Sequence, residues 1–565
     1  MASDKVDTGT GTGRASDPEL VAATNDLENT EEATRSTPEY LSGWAIRSLV
    51  MALMFGAFML GLDNSILSTA IPQITHDFHS LNDIGWYAAS YLLTQISFLP
   101  SCGRFYTFYS IKWTYIVMMV IFELGSVVCA LAPNSVALIV GRALSGLGAA
   151  GLLSGGTVIL SYCAALEKRA FLLSLVLGVY GVGSVAGPLI GGVITDNKTL
   201  SWRFIFWINL LFGAVGLIQF WFSLKDPPSP AKAGLTRTEK IRQLDIGGAT
   251  LLISGITSLL LALQWGGTIY PWSDSRVFGT LIGFALILTV FILFQIRDQV
   301  NCTIPLHIFR SRTVCAACAF VLFVQVAIVA QTYYWPIYFQ TVKNTNAETS
   351  GIFILPLIIS NSLVTVSTGW ATSKLRYYVP FAWIGPPILA VGGGLFQILR
   401  VNSSPASWIG YQILTGLGYG LCNQMPIIAV QVVLQKVDVP TGCVMVIFFQ
   451  GLGGILATSI GQNLFNDRLL KSLRQIAGLD AEAVIKAGAN GYRAVVSTDL
   501  VGAVTQAYGS ALKEVFLITL ITPLIALVVS TVFEWRRVPQ DSENEISTSE
   551  PIQTSLSVGQ EKQSV

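Results

Sequence analysis

Charge is the first thing this sequence is short of. Of 565 residues only 12% are Asp, Glu, Lys or Arg, about half of the ~25% usual in soluble domains. The formal net charge is +1, so neither an acidic nor a basic surplus points to a nucleic-acid partner. Histidine is nearly missing: there are three, His76, His79 and His307. The pair in "HDFH" reads as a solvated loop rather than a metal site. No G-x-x-x-x-G-K-S/T loop is present, which argues against ATP hydrolysis as the energy source. H-E-x-x-H and G-x-S-x-G are missing too, and no polar block is large enough for an independent catalytic domain. The expectation is a protein that is not an enzyme and uses no cofactor. The eight cysteines, Cys102, Cys129, Cys163, Cys302, Cys315, Cys318, Cys422 and Cys443, form no framework. Nearly all lie in or beside apolar stretches, and "CAAC" at 315–318 reads as small packing residues.

What the chain has in abundance is apolar length. Hydrophobic residues make up 52% of it, and the mean hydropathy is +0.59. A block of about 20 apolar residues crosses a ~30 Å hydrocarbon core as a helix. About fourteen such blocks occur, at 47–70, 84–103, 113–132, 136–161, 169–194, 203–223, 246–265, 277–296, 314–336, 350–372, 379–399, 407–432, 441–463 and 515–535. The expected class is an all-α polytopic membrane protein. The ends, 1–45 and 537–565, are polar and poor in aromatics, so both are expected to be disordered. No cleavable signal peptide is expected; the first span would direct insertion. Residues 224–245 form a basic, Pro-containing linker. Residues 464–514 read as a long, polar, Ala-rich extracellular loop whose "RLLKSLRQI", with Leu469, Leu470, Leu473 and Ile476 at helical spacing, is expected as a helix lying on the protein or the membrane surface.

Lys and Arg set the orientation. With the N-terminus in the cytoplasm, inward links and the C-terminal flank carry about seventeen of them and short outward links about five. Both termini are then cytoplasmic. The sequons at Asn197 and Asn402 fall outside, where glycosylation is possible, and the one at Asn301 falls inside.

Residues 178–196, "GVYGVGSVAGPLIGGVITD", place six glycines and a proline in a span. Gly183, Gly187 and Gly191 recur every fourth residue and leave one helix face bare. A neighbouring helix can approach closely there, and Pro188 removes a backbone hydrogen bond and permits a bend. The pattern G-x-x-x-G-P-x-x-G-G at Gly183, Gly187, Pro188, Gly191 and Gly192 resembles the antiporter motif in span five of major facilitator exporters. "LDNSILSTAIPQI" at 62–74 resembles the first-span motif of the fourteen-span drug:proton antiporters, with Asp63, Ala70 and Pro72 in place. "GRALSGLGAAG" at 141–151 resembles the fourth-span motif, keeping Arg142, Gly146 and Gly148, with Ser145 where glutamine is usual. "YYWPIYFQ" at 333–340 and "GYQILTGLGYGLCNQMP" at 410–426 are similar to this family as well. The resemblance covers about 45–535 and is nearest to fungal toxin and secondary-metabolite efflux pumps. One motif departs. The loop after span two reads "GRFYTFYSIK" (103–112); Gly103 and Lys112 remain, but Thr107 replaces the aspartate and Ser110 the second glycine. The family's cytoplasmic charge latch is therefore weaker or differently built here.

The resemblance implies two six-helix bundles, 46–223 and 297–536, with two additional spans, 246–296, between them. Charges inside a membrane cost about 3 kcal/mol or more and usually mark function. Counted along their spans at 1.5 Å per residue, Asp63 and Arg142 both fall in the outer half and could pair directly or through water. Asp63 is the leading proton carrier and Arg142 its tuning partner. Glu123, in "FELGS", is either a second protonatable site or a structural glutamate. Polar uncharged residues, among them Asn64, Gln331, Asn423, Gln424 and Gln450, and aromatics such as Tyr334, suit a cavity for a bulky, mostly neutral amphipathic molecule. The reading is proton-coupled efflux of a hydrophobic toxin, secondary metabolite or drug by alternating access. The protein is expected to act as a monomer in the plasma membrane, with a vacuolar or vesicle membrane as alternatives. A carrier of amino acids or iron chelates on the same fold, or a nutrient receptor that scarcely transports, are the rivals.

Overall fold

The computed structural model describes residues 40–80, 83–196, 201–224, 245–267, 270–297, 304, 307–400 and 403–539. Asn197, Asn301, Asn402 and nearly all of the 224–245 linker lie outside the described residues, as do 1–39 and 540–565. The described chain is helical, and no strand occurs among the described residues. In chain order the helices are α1 (Gly43–Phe78), α2 (Ile84–Phe108), α3 (Ile111–Ala130), α4 (Ser135–Cys163), α5 (Leu166–Asp196), α6 (Phe204–Ser223), α7 (Ile246–Trp265), α8 (Ser275–Arg297), α9 (Arg312–Thr341), α10 (Ala347–Ile352), α11 (Leu355–Leu375), α12 (Val379–Gly394), α13 (Pro405–Cys422), α14 (Met425–Val433), α15 (Val439–Leu473), α16 (Ala481–Val495) and α17 (Val501–Ser530).

Thirteen candidate spans among the described residues are long and apolar enough to cross a membrane. The segment expected at 84–103 is α2, which is long enough at ~1.5 Å per residue. It is not among the thirteen, because Ser90, Thr94, Gln95, Ser97, Ser101 and Arg104 dilute its hydropathy. The polar excursion at 464–514 is not a loop. α15 continues without a break to Leu473, so Leu469 and Leu473 prolong a span rather than form a separate surface helix. α17 starts at Val501, well before the expected 515. With α16 these extensions close a small apolar core of Leu469, Leu473, Val484, Tyr492, Val504 and Tyr508. The hydroxyl of Tyr492 donates to the Thr341 carbonyl at 2.9 Å, fastening this cap to the end of α9. One more expectation is corrected: helix α1 begins at Gly43, inside the tail expected over 1–45. The span expected at 407–432 is present over Pro405–Val433, with a turn between α13 and α14 at Asn423 and Gln424. Pro426 follows the turn; it has no N–H to give and fits only the first turn of a new helix.

Helices α1 to α6 pack on one another, as do α9, α11 to α15 and α17. These are called the N half and the C half below. The halves meet where α5 lies on α11 and where α2 and α4 lie on α15. The α7–α8 hairpin is seated on α2 through α7 alone. Its tip is held by Asn463 of α15, which accepts from the Trp272 indole at 3.1 Å and donates to the Gly266 carbonyl at 3.2 Å. α8 turns its remaining surface, including Phe278, Leu286 and Leu293, outward.

Candidate functional site

The N half buries an ion pair. Asp63 on α1 and Arg142 on α4 are 1% and 2% exposed. Arg142 Nη1 donates to Asp63 Oδ2 at 2.8 Å, so the two charges pair directly, with no water between. Arg142 Nε donates to the Tyr87 carbonyl at 3.2 Å, and its guanidinium carbon lies 4.3 Å above the Tyr91 ring. Both contacts come from α2 and hold the fork in one orientation. The other carboxylate oxygen, Asp63 Oδ1, accepts from Asn209 Nδ2 of α6 at 2.8 Å. The same amide reaches Ser126 Oγ of α3 at 3.4 Å. The centre therefore draws on α1, α2, α3, α4 and α6. Asn209, completely buried, was missed in the sequence; the only signal was a lone amide in "FWINLLFGAVG".

One helical turn from this centre is Glu123. Both of its carboxyl oxygens are buried and have no hydrogen-bond partner, and Asn209 Oδ1 is in the same condition. A methyl group on Gly213 would collide with Glu123 Oε1 and lie 3.2 Å from the Met59 sulfur. The carboxyl thus occupies a bay left by the missing side chain of Gly213.

The bare face of α5 lies on α1. Side chains at Gly183, Gly187 and Gly191 would collide with the Phe58 carbonyl, Ser65 Oγ and Thr69 Oγ1 respectively. Gly61 answers from α1, where a Cβ would run into the Tyr180 carbonyl. This mutual bareness brings the α1 backbone that carries Asp63 against α5. Gly192 has open space beside it and takes no part in the seam. α5 runs unbroken through Pro188. A second bare strip on α5 faces the C half: a Cβ at Gly178 would meet Val366 at 3.1 Å and one at Gly181 would meet Ser362 Oγ at 2.7 Å.

Between the halves lies a cavity, part of it open. Its walls are mostly Leu, Ile, Val, Ala and Gly from α1, α4, α5, α14 and α15. The polar groups are Tyr115, Thr157, Tyr180, Asn423 and Gln450, and no Asp, Glu, Lys, Arg or His lines it. Of the six residues expected to line a cavity, Asn423 and Gln450 do so, joined Nε2 to Oδ1 at 3.4 Å. Asn64 stands one step back and donates to the Tyr180 hydroxyl at 3.2 Å. The other three are elsewhere. Gln331 is completely buried among aromatics and accepts from the Trp335 indole at 3.4 Å. Tyr334 packs on Phe465 and Gly461. The Gln424 amide, turned to match its neighbours, donates to the Ala170 carbonyl and accepts from the Ser174 N–H, each at 3.1 Å. It clasps the α5 backbone from the C half. Sequence alone grouped these amides together because a buried amide looks the same whether it faces a cavity or a helix.

The 103–112 motif is mostly the last turn of α2. Gly103 is where α2 meets α15; a Cβ there would lie 3.3 Å from Val444 Cβ. Lys112 points away from the C half and donates to the Trp221 carbonyl at 2.7 Å. Thr107, in the place of the aspartate, bonds its own helix at the Gly103 carbonyl, 2.9 Å away.

Residues 53–458 match the model of the Major Facilitator Superfamily. The chain is 58% identical over 525 residues to the MFS-type transporter ltbE of Aspergillus luteorubrus, covering 93% of this chain and 96% of that one. It is 38% identical over 513 residues to efflux pump aflT of Aspergillus parasiticus, covering 90% and 99%. Among solved structures, the proton:xylose symporter XylE superposes with a TM-score of 0.59 at 12% identity, covering 89% of this chain and 98% of that one. That similarity concerns the fold.

Proposed function

Because the chain belongs to the major facilitator superfamily, a family of multi-pass membrane transporters, we propose that it is a proton-driven exporter of uncharged, amphipathic small molecules such as a toxin, secondary metabolite or drug. The observation that carries this reading is the pairing of two neighbouring sites of opposite character. One is a buried carboxylate held by a single guanidinium. The other is a cavity with hydrogen-bonding groups but no ionisable carboxyl or amine. A proton on Asp63 removes its charge and frees Arg142, so the five-helix centre has two distinct bonding states. The cavity suits a neutral cargo, since a charged one would be stranded without a counter-ion. The cargo then moves as the halves rock about the α5–α11 and α2–α15 contacts. Relatives named efflux pumps support the outward direction.

In this reading the termini face the cytoplasm, as the Lys and Arg bias directs. The end at which α1 begins is then the inner one, and Asn197 and Asn402 lie outside. The protein acts as a monomer in the plasma membrane.

The test is reconstitution into liposomes with an imposed pH gradient and the neutral dye Nile red as probe. Wild-type protein should concentrate Nile red against its gradient only while the pH gradient lasts. Asp63→Asn should abolish that accumulation and keep Nile red binding within about twofold. Accumulation by wild type that ignores the pH gradient would refute proton drive. Uphill accumulation by Asp63→Asn at the normal rate would remove Asp63 from the coupling.

A further inference from the structure

We propose that Glu123 is the station that receives the proton from Asp63, so that protons cross the N half over two carboxyl groups in series. This rests on the proton-driven reading above. In the structure both Asp63 oxygens are satisfied: one takes Arg142 at 2.8 Å, the other Asn209 at 2.8 Å. Arg142 is the one cation at the centre, and it is committed. Glu123 has neither a counter-charge nor a donor on either oxygen. A buried carboxylate in that condition neutralises instead of staying charged. Glu123 therefore holds a proton while Asp63 is paired.

Helix register places the two carboxyls in adjacent layers. Asp63, Ser126 and Asn209 form one layer. Met59, Glu123 and Gly213 form the next. On each of α1, α3 and α6 the second layer is three or four residues from the first, one turn or about 5 Å. On α1 the step runs from Asp63 back to Met59, toward the helix start, which is the cytoplasmic direction in the proposed orientation. The groups facing Glu123 are few: α1 gives Asp63 and Met59, α4 stands behind Asp63 with Arg142, and α6 gives Asn209 and Gly213 and carries no ionisable side chain.

The step balances. The O–H bond of a protonated Asp63 breaks, and its proton forms an O–H bond on the carboxylate of Glu123. Asp63, again an anion, recovers its bonds to Arg142 and Asn209. One carboxylate and one guanidinium face each other before and after, and no electron moves. The structure is the state after transfer. A side chain at 213 would take the space of Oε1 and push the carboxyl out of this position.

Glu123→Gln keeps the shape and cannot take a proton. In liposomes it should lower pH-driven Nile red accumulation by about a hundredfold or more, the low end of what a positioned proton acceptor supplies. Nile red binding should stay within about twofold of wild type, because Glu123 does not line the cavity. A pH-driven rate for Glu123→Gln within twofold of wild type would overturn the proposal. Infrared spectroscopy of the purified protein gives an independent reading. A protonated-carboxyl band should be present in wild type, weaken in Asp63→Asn, where Arg142 is freed, and vanish in Glu123→Gln; a band unchanged in Glu123→Gln would also overturn the proposal. Should Glu123→Gln not fold, Glu123→Asp, which withdraws the acceptor by one methylene, should shift that band and slow accumulation, and a wild-type rate and band there would overturn the proposal. Wild-type transport that ignores pH would sink the proton-driven reading, whereas the band would still report on Glu123.

Discussion

Arg142 and Asp63 illustrate how a buried ion pair divides its value. Losing one partner leaves the other charged and enclosed, at a cost of about 3–5 kcal/mol, whereas losing both removes the problem. Arg142→Gln should therefore lower the unfolding temperature in detergent sharply, and adding Asp63→Asn should restore most of the loss. If the double variant is no more stable than Arg142→Gln, the pair is not the source of the effect. Asn209→Leu should retain the ion pair and weaken it, because Asp63 Oδ1 loses its 2.8 Å donor. Such a loss next to a charged acceptor amounts to about 1.5–3 kcal/mol, measurable as a lower unfolding temperature. Asp63 and Arg142 could be picked from the sequence because a charge in an apolar run is conspicuous. Asn209, Tyr87 and Tyr91 could not, since which side chain meets Asp63 depends on the register of four other helices.

At the scale of the helix, the α1–α5 seam predicts an ordered series. Gly187→Val should destabilise strongly, since even a Cβ collides with Ser65 Oγ and approaches the Ile66 backbone at 2.8 Å. Overpacking of this sort costs about 1–3 kcal/mol. Combining Gly187→Ala with Ser65→Gly should recover part of the loss, while Gly192→Ala, with nothing within 4 Å, should be silent. Unfolding temperatures of the four proteins check the series; equal losses at 187 and 192 would contradict it. The four-residue glycine repeat announced this seam in the sequence, although not its partner helix. The helical cap beyond residue 463 was illegible for a different reason. Its segments are polar outside and apolar only where α15, α16 and α17 meet, and hydropathy along the chain averages those faces together.

For the whole molecule, alternating access requires the α2–α15 contact to part. An added Cβ at residue 103 would lie 3.3 Å from Val444 Cβ, close to the 3.5–4.5 Å that a disulfide spans. Gly103→Cys with Val444→Cys, in a background without Cys102 and Cys443, should cross-link under mild oxidant. The oxidised protein should lose Nile red transport, and reduction should restore it. Undiminished transport by the fully cross-linked protein would mean that this contact does not open. Thirteen of the fourteen expected spans were readable by length and hydropathy because hydrocarbon thickness dictates helix length. The pairing of the halves was not, because small residues on α2, α5, α11 and α15 carry no label naming their partner.

The interruption between α13 and α14 joins these scales. Asn423 and Gln424 are consecutive, yet one faces the cavity and the other grips the α5 backbone. In the proposed exporter a cargo that draws on Asn423 would pull on the residue next to the one that clasps α5, and a cargo too small to touch Asn423 would ride without releasing that catch.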